Sequence, residues 1–446
     1  MVIKAVILVG GPEKGTRFRP LSLDTPKPLF PVGGVPMIQH HIEACCKVPD
    51  LKEILLIGNF QPNEQLSQFV SAQSKLHKKI IRYLQEFAAL GTAGCIYHFR
   101  DQILYGSPST IILMNGDVCG DIQLEDMLNF HRGREKAMIT IMGTEAVPSQ
   151  SVEFGCIVEN KQTHEVKHYV EKPHTYVSSL INCGIYILSP IIFDFISATI
   201  NTNVDHRVGD GYADLSDLSS RRGVLGRHNS LASIGGAALV EILSLEKDVF
   251  PRLALSGGGM FVYHTVGWWS QIKTAGAAIY ANRHCLKLYH KMHPERLAKN
   301  VDKDSPLIIG DAVIDPTAKI HPSAVIGPNV SILPHVVIGS GTRIRDSIIL
   351  SDVHIEDNCC ILNSVIGWGS TIGSWTRIEG TPNDPNPDKP FAKLEHLPLF
   401  SEKGFLNPSA TILGAKVSVP AELLVLNSIV LPNKDLTHSY KNQIIL

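Results

Sequence analysis

Behind the first apolar run of the chain lie Gly10-Gly11-Pro12-Glu13-Lys14-Gly15-Thr16-Arg17-Phe18-Arg19-Pro20 and, a few residues on, Pro26-Lys27-Pro28. A glycine-rich turn at a strand end presents backbone N–H groups to an anion, and arginine beside it adds charge, so phosphate is the ligand this composition suits. Such a turn alone is commonplace; joined to a lysine stiffened between two prolines, it becomes a specific signal. Asn115-Gly116-Asp117 follows another apolar run in the same manner. A carboxylate there can hold Mg²⁺ between phosphates, since that ion takes one or two carboxylates and completes its shell with phosphate oxygens and water.

Positioning these groups needs strands that end at a common edge. Val6-Ile7-Leu8-Val9, Glu53-Ile54-Leu55-Leu56-Ile57 and Thr110-Ile111-Ile112-Leu113-Met114 are each bounded by Gly, Asn or Asp. They read as buried parallel strands of a doubly wound, Rossmann-like α/β sheet, with helices expected from Met37 to Cys46 and from Glu64 to Lys75. Ligands of such sheets sit outside the carboxyl ends of the strands, which places Gly10, Gly11 and Asp117 together. From about residue 200 to 240 the composition turns to Gly, Ser, Asn, Asp and Arg, the signature of a mobile surface insertion, and order is expected again at Glu246-Lys247-Asp248-Val249-Phe250.

The second half carries a repeat. Isoleucine falls at every sixth residue from Ile308 to Ile344, resumes after one slip at Ile349, Ile355 and Ile361, and after another at Ile366, Ile372 and Ile378. A companion set two positions earlier reads Ala312, Ala318, Ala324, Val330, Val336 and Thr342. Neither helix nor alternating strand has this period; a coil of three short faces per turn does, so the expectation is a left-handed parallel β-helix of hexapeptide repeats. Thr381-Pro382-Asn383-Asp384-Pro385-Asn386-Pro387 cannot continue a ladder, because proline lacks the donor. Residues 381 to about 407 therefore read as a loop thrown out of the coil. The chain divides into 1–300, an α/β ligand-binding domain, and 301–446, the coil.

The 41 basic and 42 acidic side chains balance, and 44% of residues are hydrophobic, which argues against a nucleic-acid partner. Val2 to Val9 is too short to span a bilayer and lacks the flanks of a signal peptide, so no membrane association is expected. Nine cysteines without a CxxC pair suggest buried thiols in a reducing, cytoplasmic setting.

The pattern G-G, G-T-R-x-R-P-L and P-K-P resembles the sugar-1-phosphate nucleotidyltransferases, and the resemblance runs over nearly the whole chain. Gln85-Glu86 with Leu90-Gly91-Thr92-Ala93 is similar to their base-recognition segment, Phe154-Gly155-Cys156 and Glu171-Lys172-Pro173 to their sugar-phosphate segments, and Asn182-Cys183-Gly184 to their sugar segment. With the hexapeptide tail, the chain looks nearest the mannose-1-phosphate guanylyltransferases of the alpha, regulatory type. The resemblance implies nucleotide binding by Gly10, Gly11, Gly15, Thr16, Gln85, Gly91, Thr92 and Asp117, and sugar binding by Gly155, Glu171, Lys172 and Asn182. It implies catalytic positions at Arg17 and Lys27, and Mg²⁺ at Asp117. In nucleotidyl transfer a sugar phosphate attacks the α-phosphorus of a nucleoside triphosphate, so Arg17, Lys27 and Lys172 would form the cationic frame for two polyanions.

Two departures bear on turnover. Pro12-Glu13-Lys14 separates Gly11 from Gly15, making the turn two residues longer than the family pattern and placing an acid beside phosphate. Gln271 stands in Gly267-Trp268-Trp269-Ser270-Gln271-Ile272-Lys273 where the pattern W-x-D has a second metal-binding aspartate. The expectation is a catalytically impaired subunit with a weakened Mg²⁺ site. It would bind GDP-mannose, join homo- and hetero-oligomers, and mediate feedback inhibition of a catalytic beta-type mannose-1-phosphate guanylyltransferase subunit, with the 381–407 loop reaching that partner. The alternative is an active GTP:mannose-1-phosphate guanylyltransferase. An acyltransferase using His321, His335 or His354 of the coil would leave the first domain without a role.

Overall fold

Leu8 lies opposite Ile57 on one side and Asn115 on the other, and Gly58 in turn opposite Gln85, so four strands end at one edge. These strands, Ile80–Gln85, Leu51–Gly58, Ile3–Gly10 and Thr110–Asn115, are parallel and adjacent in that order. The computed structural model describes residues 2–12, 16–23, 25–210, 242–257, 259–300, 305–382 and 399–446, with only the backbone at 202–210. The central strands carry aliphatics on both faces, Ile7, Leu55, Ile57 and Ile112 among them, because helices cover both sides. Helix Met37–Cys46 follows expectation, and Glu64–His77 runs two residues past Lys75. Asn63 caps the latter by accepting from Leu66 N at 2.8 Å, and Lys78, in the left-handed region, ends it.

On the far side, Leu180–Leu188 adds antiparallel to Thr110–Asn115 and pairs with both Ile139–Glu145 and Gly155–Glu159. Gly155–Glu159 forms a hairpin with Val166–Glu171, and Met260–His264 runs parallel to Ile139–Glu145, completing a nine-stranded sheet. A small ribbon, Val118–Gly120 with Trp269–Gln271, sets Gln271 opposite Val118 and beside Asp117.

The segment expected to be a surface insertion from about residue 200 begins instead as helix, since Ile192–Asp210 is continuous. The reason is local: the first glycine of the stretch is Gly209, and Ala198 to Val208 contains no helix breaker. Residues 211–241 lie outside the described residues.

From Leu307 onward the chain winds into three parallel sheets, of seven, seven and five strands, consistent with a left-handed β-helix. Ile326, Ile344, Ile361, Ile378 and Val425 stack in register, all buried. The companion positions Ala312, Ala324, Val330, Val336 and Thr342 also face inward. Both slips in the period are shortened corners that leave the stack intact. After Gly380 the path leaves the coil and returns at Thr411–Leu413, which pairs with Ser364–Ile366. Of the 381–407 loop, residues 383–398 lie outside the described residues; at its end Phe400 and Leu406 form an antiparallel bridge.

Helix Ala275–Met292 joins the two halves. Ala275, Ala277, Ala278 and Ala281 let it approach closely, and it shares one apolar cluster with Phe18, Phe30 and Met37 on one side and Leu333, Ile348, Leu350, Val365 and Ile412 of the coil on the other. At its centre Asn282, wholly buried, accepts from Gly33 N at 2.8 Å and Ser331 Oγ at 2.7 Å, and donates to the Asn329 carbonyl at 3.4 Å. All nine cysteines are free thiols, with Cys46 and Cys360 half-buried and the others buried. Among the described residues no helix is long and apolar enough to cross a membrane.

Candidate functional site

Two neighbouring cavities open at the strand-end edge. The first is lined by Leu8, Gly10, Gly11, Ile57, Asn59, Glu86, Ala89, Gly91, Thr92 and Cys95. Gly10 holds a φ of +72°, and its carbonyl accepts from Asn59 N at 2.8 Å. A side chain at Gly11 would strike Asn59 Cβ, 2.8 Å from the position of its own Cβ, so glycine is what lets the turn lie against the next strand end. Gly91, with a φ of +80°, lets the Leu243 backbone pass close by, and the Leu243 carbonyl caps the following helix by accepting from Ala93 N at 2.9 Å and Gly94 N at 3.0 Å.

The second cavity is lined by Asn115, Glu153, Phe154, Gly155, Glu171, Lys172, Asn182, Cys183, Gly184, Tyr186, Glu246, Trp269, Gln271 and Lys273. One hydrogen bond links the two: Thr92 Oγ1, in the first, donates to Glu246 Oε2, in the second, at 2.6 Å. Glu246 also accepts from Ser244 Oγ at 2.8 Å. Asn182 is turned toward the protein, donating to the Tyr169 and Tyr186 hydroxyls at 3.0 and 2.9 Å and accepting from Gly184 N at 2.8 Å. Its role here is to orient the two phenols. Tyr169 in turn donates to Glu171 Oε2 at 3.0 Å.

Carboxylates and ammonium groups both line this cavity, and Lys172 Nζ lies 3.9 Å from Glu171 Oε1. Burial, opposed by the Tyr169 hydrogen bond and reinforced by Glu246, raises the Glu171 carboxyl above its usual range. Lys273 Nζ lies 4.6 Å from the centre of the Phe154 ring. Burial, helped by the like charges of Lys172 and Arg17 and opposed by Asp117, lowers its ammonium to about 8. Acceptors for hydroxyls together with cations for phosphate suit a polyol that carries phosphate.

At Asp117 the surroundings are donors. Gln271 Nε2 donates to both carboxylate oxygens, at 3.1 and 3.0 Å, and Lys27 Nζ lies 3.5 Å from Oδ2. Mg²⁺ takes oxygen ligands, and here one carboxylate engaged by donors stands beside a neutral amide, which offers that ion less negative charge than a pair of carboxylates would.

Of the residues singled out from sequence, Gly10, Gly11, Gly91 and Thr92 meet at the first cavity, and Gly155, Glu171, Lys172, Asn182 and Gln271 at the second. Thr16 and Arg17 are exposed and line neither, while Gly15, with Glu13 and Lys14, lies outside the described residues. Glu86 lines the first cavity and its neighbour Gln85 does not. Sequence reasoning did not single out Lys273 or Glu246. The position of Lys273 two residues after Gln271, at the end of the ribbon, was the available signal for the first. His321, His335 and His354 are exposed on the coil.

A doubly wound sheet with phosphate-suited turns at its edge, followed by a hexapeptide coil, defines a nucleotidyltransferase-class fold. Residues 4–214 match the family model described as nucleotidyl transferase, and residues 308–445 the one described as GMPPB C-terminal domain. The chain is 54% identical over 446 residues to mannose-1-phosphate guanylyltransferase regulatory subunit alpha-B of Danio rerio, with 100% of both chains covered. It is 54% identical over 447 residues to regulatory subunit alpha of Xenopus tropicalis and 52% over 446 residues to that of Homo sapiens, again with 100% of both chains covered. The chain belongs to the family of mannose-1-phosphate guanylyltransferase regulatory subunits alpha.

Proposed function

We propose that this chain binds GDP-mannose without turning over substrates of its own, and that in this state it lowers the activity of a catalytic guanylyltransferase subunit when product accumulates. The observation that carries this reading is the donation from Gln271 Nε2 to both carboxylate oxygens of Asp117, with Lys27 beside them. A site whose Asp117 carboxylate is held by donors is poorly suited to gather Mg²⁺ and triphosphate for an in-line displacement. A finished nucleotide sugar asks less: a base pocket, a cationic border for the diphosphate and acceptors for hydroxyls. Glu86 supports guanine in the first cavity, because a carboxylate only accepts and the guanine edge offers N–H donors. Lys172 and Lys273 serve the diphosphate, and Glu171 and Glu246 the sugar hydroxyls. The relatives' name, regulatory subunit, supports a partner subunit, and the coil offers surface for assembly.

The test pairs calorimetric titration of the purified chain with GDP-mannose and a pyrophosphate-release assay with GTP, mannose 1-phosphate and Mg²⁺. Binding without turnover is the expected result, and steady turnover by the isolated chain would establish the active guanylyltransferase instead. Gln271→Asp is expected to raise Mg²⁺ affinity about tenfold, measured by calorimetry, since a second carboxylate replaces a donor. Without metal the same variant should lose about 1 kcal/mol in chemical denaturation, through repulsion with Asp117. Unchanged Mg²⁺ affinity would mean that the Gln271 amide is not what keeps the ion from Asp117.

A further inference from the structure

On the opposite side of the sugar pocket's hairpin, Glu159, His164 and His264 converge from three separate elements. Glu159 ends the strand Gly155–Glu159, His164 sits in the turn that follows, and His264 ends the strand Met260–His264. Glu159 Oε2 is 2.9 Å from His164 Nδ1, Glu159 Oε1 is 2.8 Å from His264 Nε2, and the three ligating atoms lie within 4.8 Å of one another. The geometry points to a Zn²⁺ site, which we propose as a structural clasp built into this domain and separate from the nucleotide-sugar cavities.

Two imidazoles and a carboxylate are the ligand set that zinc takes with a fourth position left to water. In tetrahedral coordination with bonds near 2.05 Å the ligand atoms stand roughly 3.3 Å apart, so the hydrogen-bonded pairs open by about half an ångström and the widest pair, within 4.8 Å, closes by at most about 1.5 Å. The Glu159 side chain is 11% exposed, and its ion-pair partners among the described residues are these two histidines, with no lysine or arginine. A divalent cation would supply the charge compensation that such a carboxylate lacks. Both histidine side chains are little more than one-third exposed, at 36% and 37%, which leaves the fourth position open to solvent and gives the ion an entry path. The backbone already holds the parts in place: Val262 N donates to the His164 carbonyl at 2.9 Å, and Glu165 bridges Phe261.

Gly155 and Glu159 are the two ends of one strand, about 13 Å apart at strand rise. An ion at Glu159 therefore touches none of the groups at the sugar pocket. It fastens the outer end of the hairpin whose inner end carries Gly155 and Glu171.

The experiment is equilibrium dialysis of the full chain against zinc chloride, with metal content read by atomic emission, alongside thermal melts with and without zinc and a visible ligand-field spectrum with Co²⁺. The wild type is expected to retain one equivalent that raises its melting temperature. The double variant His164→Ala/His264→Ala and the near-isosteric Glu159→Gln should each lose that equivalent and the cobalt spectrum. Glu159→Gln decides the matter if the double variant folds poorly. Absence of stoichiometric zinc in the wild type, or retention of equal zinc in Glu159→Gln, for instance on the free cysteines, would overturn the site.

Discussion

Lys273→Met is expected to weaken GDP-mannose binding about a hundredfold while making the unliganded protein more stable. A hundredfold is close to 2.7 kcal/mol, in the range for removing one partner from a largely desolvated charge pair. The gain in stability has the same origin. Burial and the neighbouring Lys172 and Arg17 hold the Lys273 ammonium at about 8 rather than 10.5. Keeping it charged at neutral pH thus costs the fold on the order of 2 kcal/mol after allowance for partial exposure. Between pH 8 and 10.5 the unfolded chain holds the proton that the folded chain has released, so wild-type stability should rise across that window and the variant's should not. A bound diphosphate restores the charge, so binding above pH 8 should take up a proton. Calorimetry in two buffers of different ionisation enthalpy reads that uptake directly. An unchanged Kd, or a lower melting temperature for the variant, would remove Lys273 from the site.

Asn282→Ala is expected to cost about 4 kcal/mol and to split one unfolding transition into two. The alanine leaves Gly33 N–H and Ser331 O–H without their acceptor, and each orphaned buried donor costs roughly 1–3 kcal/mol. These two donors come from different halves of the molecule, which is why the loss should show as uncoupling as well as destabilisation. Ser331→Ala removes only one of the bonds and should cost about 1 kcal/mol. Differential scanning calorimetry of both variants separates the cases; a single transition shifted by less than the serine control would show that the apolar cluster around the helix couples the halves without Asn282.

The strands of the sheet and the whole winding of the coil were legible because each rests on a local pattern. Ile326, Ile344 and Ile361 announce a stack by their spacing alone, and Leu8 and Asn115 reach one edge because each ends an apolar run. The site was legible only where a glycine or a motif marked it. Glu246 meets Thr92 across 154 residues, a juxtaposition no period encodes. The burial that perturbs Lys273 is likewise a property of the folded neighbourhood, and the choice between Gln85 and Glu86 depends on which side of a strand end faces the cavity. Asn182 was found by motif, yet its bonds to Tyr169 and Tyr186 show that a marked residue can serve by holding its neighbours.

The coil's departure and return occur at a single stitch. Thr381 N donates to the Ser409 carbonyl at 3.0 Å, Thr411 Oγ1 donates to the Glu379 carbonyl at 2.6 Å, and the strands on either side stack as though the chain had never left. Length at that point is therefore uncoupled from winding: residues can be added or cut there at the small entropic cost of resizing a loop whose ends are already tied. The ladder closes across that point by itself, so the winding sets no rule for the number or kind of residues between the two tied ends.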